Sequence, residues 1–99
     1  MSEDSIKELA LKLSKDEVRK IDDMEIVNKL IDTAQAEFEY YKTKCREMEA
    51  KHNTDFYSFK QRVEDAGNEN SEEYNELTLW ESYELAYREW GHKFMELVS

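Results

Sequence analysis

The chain has 99 residues, a formal net charge of −10, 39% hydrophobic residues and one cysteine. That length holds a single domain, and the lone thiol, Cys45, rules out an internal disulfide, which fits a reducing cytosol. Phosphate backbones and anionic lipid repel such a chain, so direct nucleic-acid or membrane-surface binding is disfavoured and encounter with basic proteins is favoured. Proline is absent and glycine occurs only at Gly67 and Gly91. A sheet protein needs more turn residues than that. The expectation is an all-α domain spanning 1–99. Met1-Ser2-Glu3-Asp4 shows neither a basic nor an apolar region, so no signal peptide is expected, and no apolar run approaches the ~20 residues of a membrane span.

Ile6, Leu9, Ala10 and Leu13 have helical spacing and predict a short helix over about 4–13. Ser14-Lys15-Asp16-Glu17 reads as a capping box opening a second short helix or turn with Val18 and Ile21. Asp22-Asp23 offers the next N-cap. From there Met24, Val27, Ile31, Ala34, Phe38, Tyr41, Cys45, Met48 and His52 alternate in steps of three and four. That spacing keeps one narrow stripe toward a partner helix over 24–52, a length of ~43 Å. Asn53 suits the left-handed residue that ends it.

Thr54 or Asp55 caps a short helix over about 55–66 carrying Phe56, Phe59 and Val63, and Gly67-Asn68-Glu69-Asn70 terminates it. Asn70 or Ser71 caps the last helix, about 71–98. Its stripe is Trp80, Tyr83, Tyr87, Trp90, Phe94 and Leu97, widened by Leu79 and Ala86. The expected architecture is two long helices in an antiparallel hairpin, with the short connecting helix and an N-terminal helix packed across it. Two helices alone cannot cover both stripes. Dimerisation into a bundle, as a homodimer, or a permanent partner on the aromatic face is therefore expected.

The excess charge is confined to one stretch. Residues 1–62 carry 14 acids and 12 bases, residues 88–99 two of each, and residues 63–87 hold Glu64, Asp65, Glu69, Glu72, Glu73, Glu76, Glu81 and Glu84 with no Lys or Arg. Extending the aromatic stripe of the last helix backwards reaches Glu76, Glu73, Glu72 and Glu69. Acids in those turns complement the helix N-terminus, or pair with Lys44, Arg46 or Lys51 of the preceding long helix, or meet a basic partner. Tyr40, Tyr57 and Tyr74 lie off the main stripes, and aromatics not needed for packing make good interface anchors.

Three constellations suggest chemistry. Glu49-Ala50-Lys51-His52 and Glu89-Trp90-Gly91-His92 have the Glu-x-x-His spacing of carboxylate di-iron bundles, but in an antiparallel pair the two would meet only across an oligomer. Glu72-Glu73-Tyr74-Asn75-Glu76 with Glu81 and Glu84 has the look of a Mg²⁺ site, as in all-α nucleotide pyrophosphohydrolases. Those enzymes divide the acids between two helices, whereas here they share one, with no nearby base for phosphate. Cys45 falls on the inward stripe and reads as a small core residue. No metal, no cofactor and no catalytic residue are expected.

From Lys51 to about Leu85 the chain resembles small acidic antitoxins of prokaryotic toxin–antitoxin modules. Many of these end a helix with Lys-Tyr-Gly-Met-Ser-Phe-x-x-Phe, then have an acidic loop and a helix opening with Trp-Glu. The match here is Lys51-His52-Asn53-Thr54-Asp55-Phe56-Tyr57-Ser58-Phe59, then acids, then Leu79-Trp80-Glu81-Ser82-Tyr83, about a third of the chain. The resemblance implies a non-enzymatic cytoplasmic inhibitor that wraps a basic toxin, often a ribonuclease. Such antitoxins often carry an N-terminal DNA-binding strand; the N-terminus here reads as helical and nearly neutral, so operator binding is not implied. Glu69, Glu72, Glu73, Tyr74, Glu76, Trp80, Glu81 and Glu84 are the expected partner-binding residues. The alternatives are a nucleic-acid mimic such as an anti-CRISPR protein, whose carboxylates stand in for phosphates on a nuclease, and a metal-binding helical enzyme.

Overall fold

The computed structural model describes residues 3–69 and 71–99; Met1, Ser2 and the alternative cap at Asn70 lie outside that set. The chain is all-α, with helices α1 (Glu3–Lys12), α2 (Lys15–Arg19), α3 (Met24–His52), α4 (Phe56–Ala66) and α5 (Glu72–Val98), and no strand among the described residues. None of these helices is long and apolar enough to cross a membrane.

Local chemistry sets the boundaries. Ser14 and Glu17 close a reciprocal capping box at the start of α2, satisfying two amides that have no partner inside the helix. The Asp23 carboxylate accepts from Glu25 N–H to open α3, and Asp55 accepts from Ser58 N–H at 2.7 Å to open α4. Those bonds favour the charged form of Asp55 and hold its carboxyl below the usual range. Ser71 caps α5 by accepting from Tyr74 N–H. Asn53 ends α3 at φ 51° and Gly67 ends α4 at φ 67°, the left-handed geometry of helix C-termini.

The two long helices pack along one another. Passing along α3 from Phe38 to Tyr41 to His52, the ring partners on α5 are Tyr87 and Phe94, then Tyr83, then Trp80, so the helices run in opposite directions. The particle measures 53 × 21 × 21 Å. Apart from Cys45, its buried residues form two separate clusters. At one end Ile6 and Ala10 of α1 and Val18 of α2 cover Leu30, Ala34 and Trp90. At the other end Phe56, Phe59 and Val63 of α4 cover Met48, Leu77 and Trp80. Between them the contact is a ladder of rings: Phe38 lies parallel to Tyr87 at 5.1 Å and to Phe94 at 6.4 Å. Gly91 makes this possible, because a Cβ there would stand 2.8 Å from Phe38 Cε2.

The short N-terminal helices are held by directed bonds as well as apolar contact. Lys93 donates to Leu13 O at 2.7 Å, and Lys15 N–H donates to Glu96 at 3.0 Å. The second bond stabilises the Glu96 carboxylate and lowers its pKa.

The stripes differ in detail from the spacing argument. Leu30 and Leu77 are fully inside although neither lies on the predicted stripes, while Met24 and Leu79, which were placed on them, are exposed. The reason is the third helix at each end. Docking of α1 turns the buried face of α3 toward Leu30, and docking of α4 turns that of α5 toward Leu77 and away from Leu79.

Candidate partner-binding surface

The acidic stretch is built on the bend between α4 and α5. Gly67 N–H donates to both Val63 O and Glu64 O, and Ser71 N–H donates to Asn68 O. The chain therefore reverses within a few residues. The bend encloses a notch of about 280 Å³ lined by Val63, Glu64, Gly67, Asn68, Glu69 and Tyr74. Tyr74 is 37% exposed. The notch thus combines an apolar floor, a phenol ring and two carboxylates in one concavity.

The expected site residues divide into two groups. Glu76 pairs with Lys51 from the end of α3, Glu73 with Arg62 at 3.4 Å and Glu81 with Lys60 at 3.6 Å, the last two bases both from α4. Burial first, and then the negative charge of Glu84 nearby, push the Cys45 thiol pKa up to about 12. Glu73, Glu76 and Glu81 are therefore paired inside the molecule, and Glu84 is half-buried near Cys45. Glu69 and Glu72 are exposed, and neither they nor Glu64 has a basic partner among the described residues. Of the facing bases named from sequence, Lys51 takes a carboxylate of the stretch, whereas Lys44 pairs with Glu47 on its own helix.

Trp80 is not available to a partner: it is completely buried beneath α4, packed against Phe56, Phe59 and His52. The most exposed aromatics are Tyr40, Tyr57 and Tyr74, the three that lie off the helical stripes. Glu64, which is not among the residues expected from sequence, also lines the notch. Its signal was present in the sequence, since it lies one turn before a helix-ending glycine and so flanks the bend.

The two Glu-x-x-His pairs do not meet. His52 stacks on Phe59 and Trp80 at the α4 end, with ring centroids 4.2 and 5.7 Å away. His92 borders a surface depression with Phe38, which precedes His52 by 14 residues on the same helix, or about 21 Å of rise. Among the described residues no group of three or more His, Cys, Asp or Glu side chains is arranged to hold a metal ion. The chemistry this surface offers is recognition of positive charge. No known protein family, curated protein or solved structure matches this chain.

Proposed function

We propose that the chain is a non-enzymatic acidic inhibitor that captures a basic, nucleic-acid-acting protein, with an antitoxin that blocks a ribonuclease-type toxin as the leading reading. The observation that carries it is the notch at the α4–α5 bend. Glu64 and Glu69 line it beside Tyr74 and Val63, and Glu72 stands on the first turn of α5 next to it. An Arg or Lys side chain of a partner fits there: its stem lies against Val63 and the Tyr74 ring, and its charged head meets the carboxylates. Carboxylates paired to Lys51 and Arg62 tie the first turns of α5 to α3 and α4, and those without a basic partner are left for the captured protein. Charge complementarity of this kind accelerates association and makes it salt-sensitive. In this reading α3, α4 and α5 form a hairpin whose open faces a partner completes into a bundle.

The test is to look for an adjacent open reading frame that encodes a small basic protein, co-express it with this chain, purify the complex and assay nuclease activity; absence of such a reading frame counts against the antitoxin reading. The triple variant Glu64→Lys, Glu69→Lys, Glu72→Lys is expected to keep its helicity and lose both capture and inhibition. Retention of either would sink the reading. Inhibition of a DNA nuclease through the same three residues, with no effect on a ribonuclease, would move the assignment to a nucleic-acid mimic.

A further inference from the structure

A line of exposed side chains runs down α5, outside its packed seam with α3. Tyr74, Glu81, Arg88 and Met95 follow one another at intervals of seven residues, two helical turns each, and so share one face. All four are exposed, Met95 at 64%. Leu85 stands beside the middle of this line, 56% exposed, as a ridge between two depressions. One, of about 620 Å³, is bounded by Leu11 of α1; the other, of about 350 Å³, by Tyr57 of α4; Leu85 and Arg88 line both. A lone apolar residue on a surface needs no explanation. An apolar ridge between two depressions, each with charged side chains along its rim and an apolar or aromatic residue from another helix on its far side, is a different matter.

We propose that this face of α5 is the interface of an antiparallel homodimer whose two-fold axis passes near Leu85. The argument is charge self-complementarity. Read in one direction the line is aromatic, acid, base, apolar. Laid against itself in reverse, Glu81 of each copy faces Arg88 of the other, and Tyr74 faces Met95. A two-fold interface makes each of these contacts twice. A parallel arrangement would set the acid-rich first half of α5 against itself. The antiparallel one brings that half against the second half, where Arg88 and Lys93 balance Glu89 and Glu96, so like charge no longer faces like along the whole length.

The shape agrees. Each Leu85 ridge enters a groove beside the other copy's Leu85, the ridge-into-groove packing of helix pairs. Leu11 and Tyr57 flank the ridge on opposite sides, and the two-fold exchanges those sides, bringing Tyr57 of one copy toward Leu11 of the other. The 27 residues of α5 give about 40 Å of contact length. Present partners do not stand in the way. Glu81 lies 3.6 Å from Lys60 and Arg88 donates to the Tyr57 hydroxyl at 3.2 Å, and exposed contacts of this kind are weak enough to exchange. The inference rests on the self-complementarity of α5 and not on the inhibitor reading, and the two share one residue: Tyr74 lines the notch and here meets Met95 of the other copy, while Glu64 and Glu69 stay uncovered.

Sedimentation equilibrium across the micromolar range, with far-UV circular dichroism on every variant, tests it. The wild type is expected to reach a dimer. Arg88→Glu sets two acids face to face twice over and is expected to weaken association by roughly 100-fold or more with helicity unchanged. Adding Glu81→Arg to that variant reverses both pairs and is expected to restore the dimer. Independently, Leu85→Cys in a Cys45→Ala background is expected to be joined to its twin by a short bismaleimide reagent. A wild type that stays monomeric, an Arg88→Glu variant that dimerises normally, a double variant that fails to recover, or no cross-linking at Leu85→Cys would each overturn the proposal.

Discussion

Replacing Gly91 by alanine pits two effects of known sign against each other. In a helix interior alanine is favoured over glycine by about 1 kcal/mol, so an uncrowded site gains stability. At Gly91 the added Cβ would lie 2.8 Å from Phe38 Cε2 and 3.0 Å from Cδ2, well inside the ~3.5–4.0 Å of a relaxed carbon contact. The ring cannot turn aside freely, because Tyr87 and Phe94 stack against it. Overpacking of this kind costs about 1–3 kcal/mol. The clash therefore wins, with a net loss of about 1 kcal/mol, or about 4–8 °C in Tm for a chain of this size. In a Phe38→Ala background the obstruction is gone and the same substitution should stabilise by about 1 kcal/mol. The sign thus inverts between backgrounds, with a coupling of about 2 kcal/mol measured by urea denaturation of the four proteins. A Gly91→Ala variant that is more stable than the parent in both backgrounds would refute the packing argument.

Two further tests follow from the paired carboxylates and the buried thiol. Glu76→Lys places a lysine beside Lys51 and should lower stability by about 1 kcal/mol. Adding Lys51→Glu should recover most of it, whereas Glu64→Lys should stay within about 0.5 kcal/mol of the parent; equal effects in urea melts would contradict the division into engaged and free acids. Cys45 holds its proton in the folded state to about pH 12 against an ordinary value of 9.0, while the unfolded chain releases it near the ordinary value. Its contribution is fully present below pH 9 and is lost as pH rises toward 12, at about 1.4 kcal/mol per unit. Comparison with Cys45→Ala isolates this from Tyr41, whose pKa burial also raises; identical alkaline slopes for the two proteins would remove the claim.

Helix positions were legible because the chain punctuates itself. Ser14 with Glu17, Asp23, Asp55 and Ser71 each sit where a helix opens, and Asn53 and Gly67 where one closes. Which residues go inside was legible only where two helices meet. The 3–4 spacing that includes Ala34, Cys45 and Met48 describes the α3–α5 seam correctly. It is silent about the side on which α1 and α4 dock, and that choice buries Leu30 and Leu77 and exposes Leu79. The same blindness affected the site. Lys60 and Arg62 belong to α4, so their capture of Glu81 and Glu73 depends on a docking direction that no periodicity reports. The exposed tyrosines were legible for the opposite reason: lying off every stripe, they had nowhere to be buried.

The two clusters at opposite ends of the particle each contain one tryptophan, Trp80 at the α4 end and Trp90 at the α1 end. The molecule thus carries two native optical reporters, one per core, joined by a ladder of rings and the buried Cys45. Emission from Trp90→Phe follows the end that bears the notch, and emission from Trp80→Phe follows the other. Superimposable denaturation curves from the two variants would mean that the ring ladder transmits order along the full length of α3. Separated curves would mean that each end melts on its own, as cooperative subunits within one chain do.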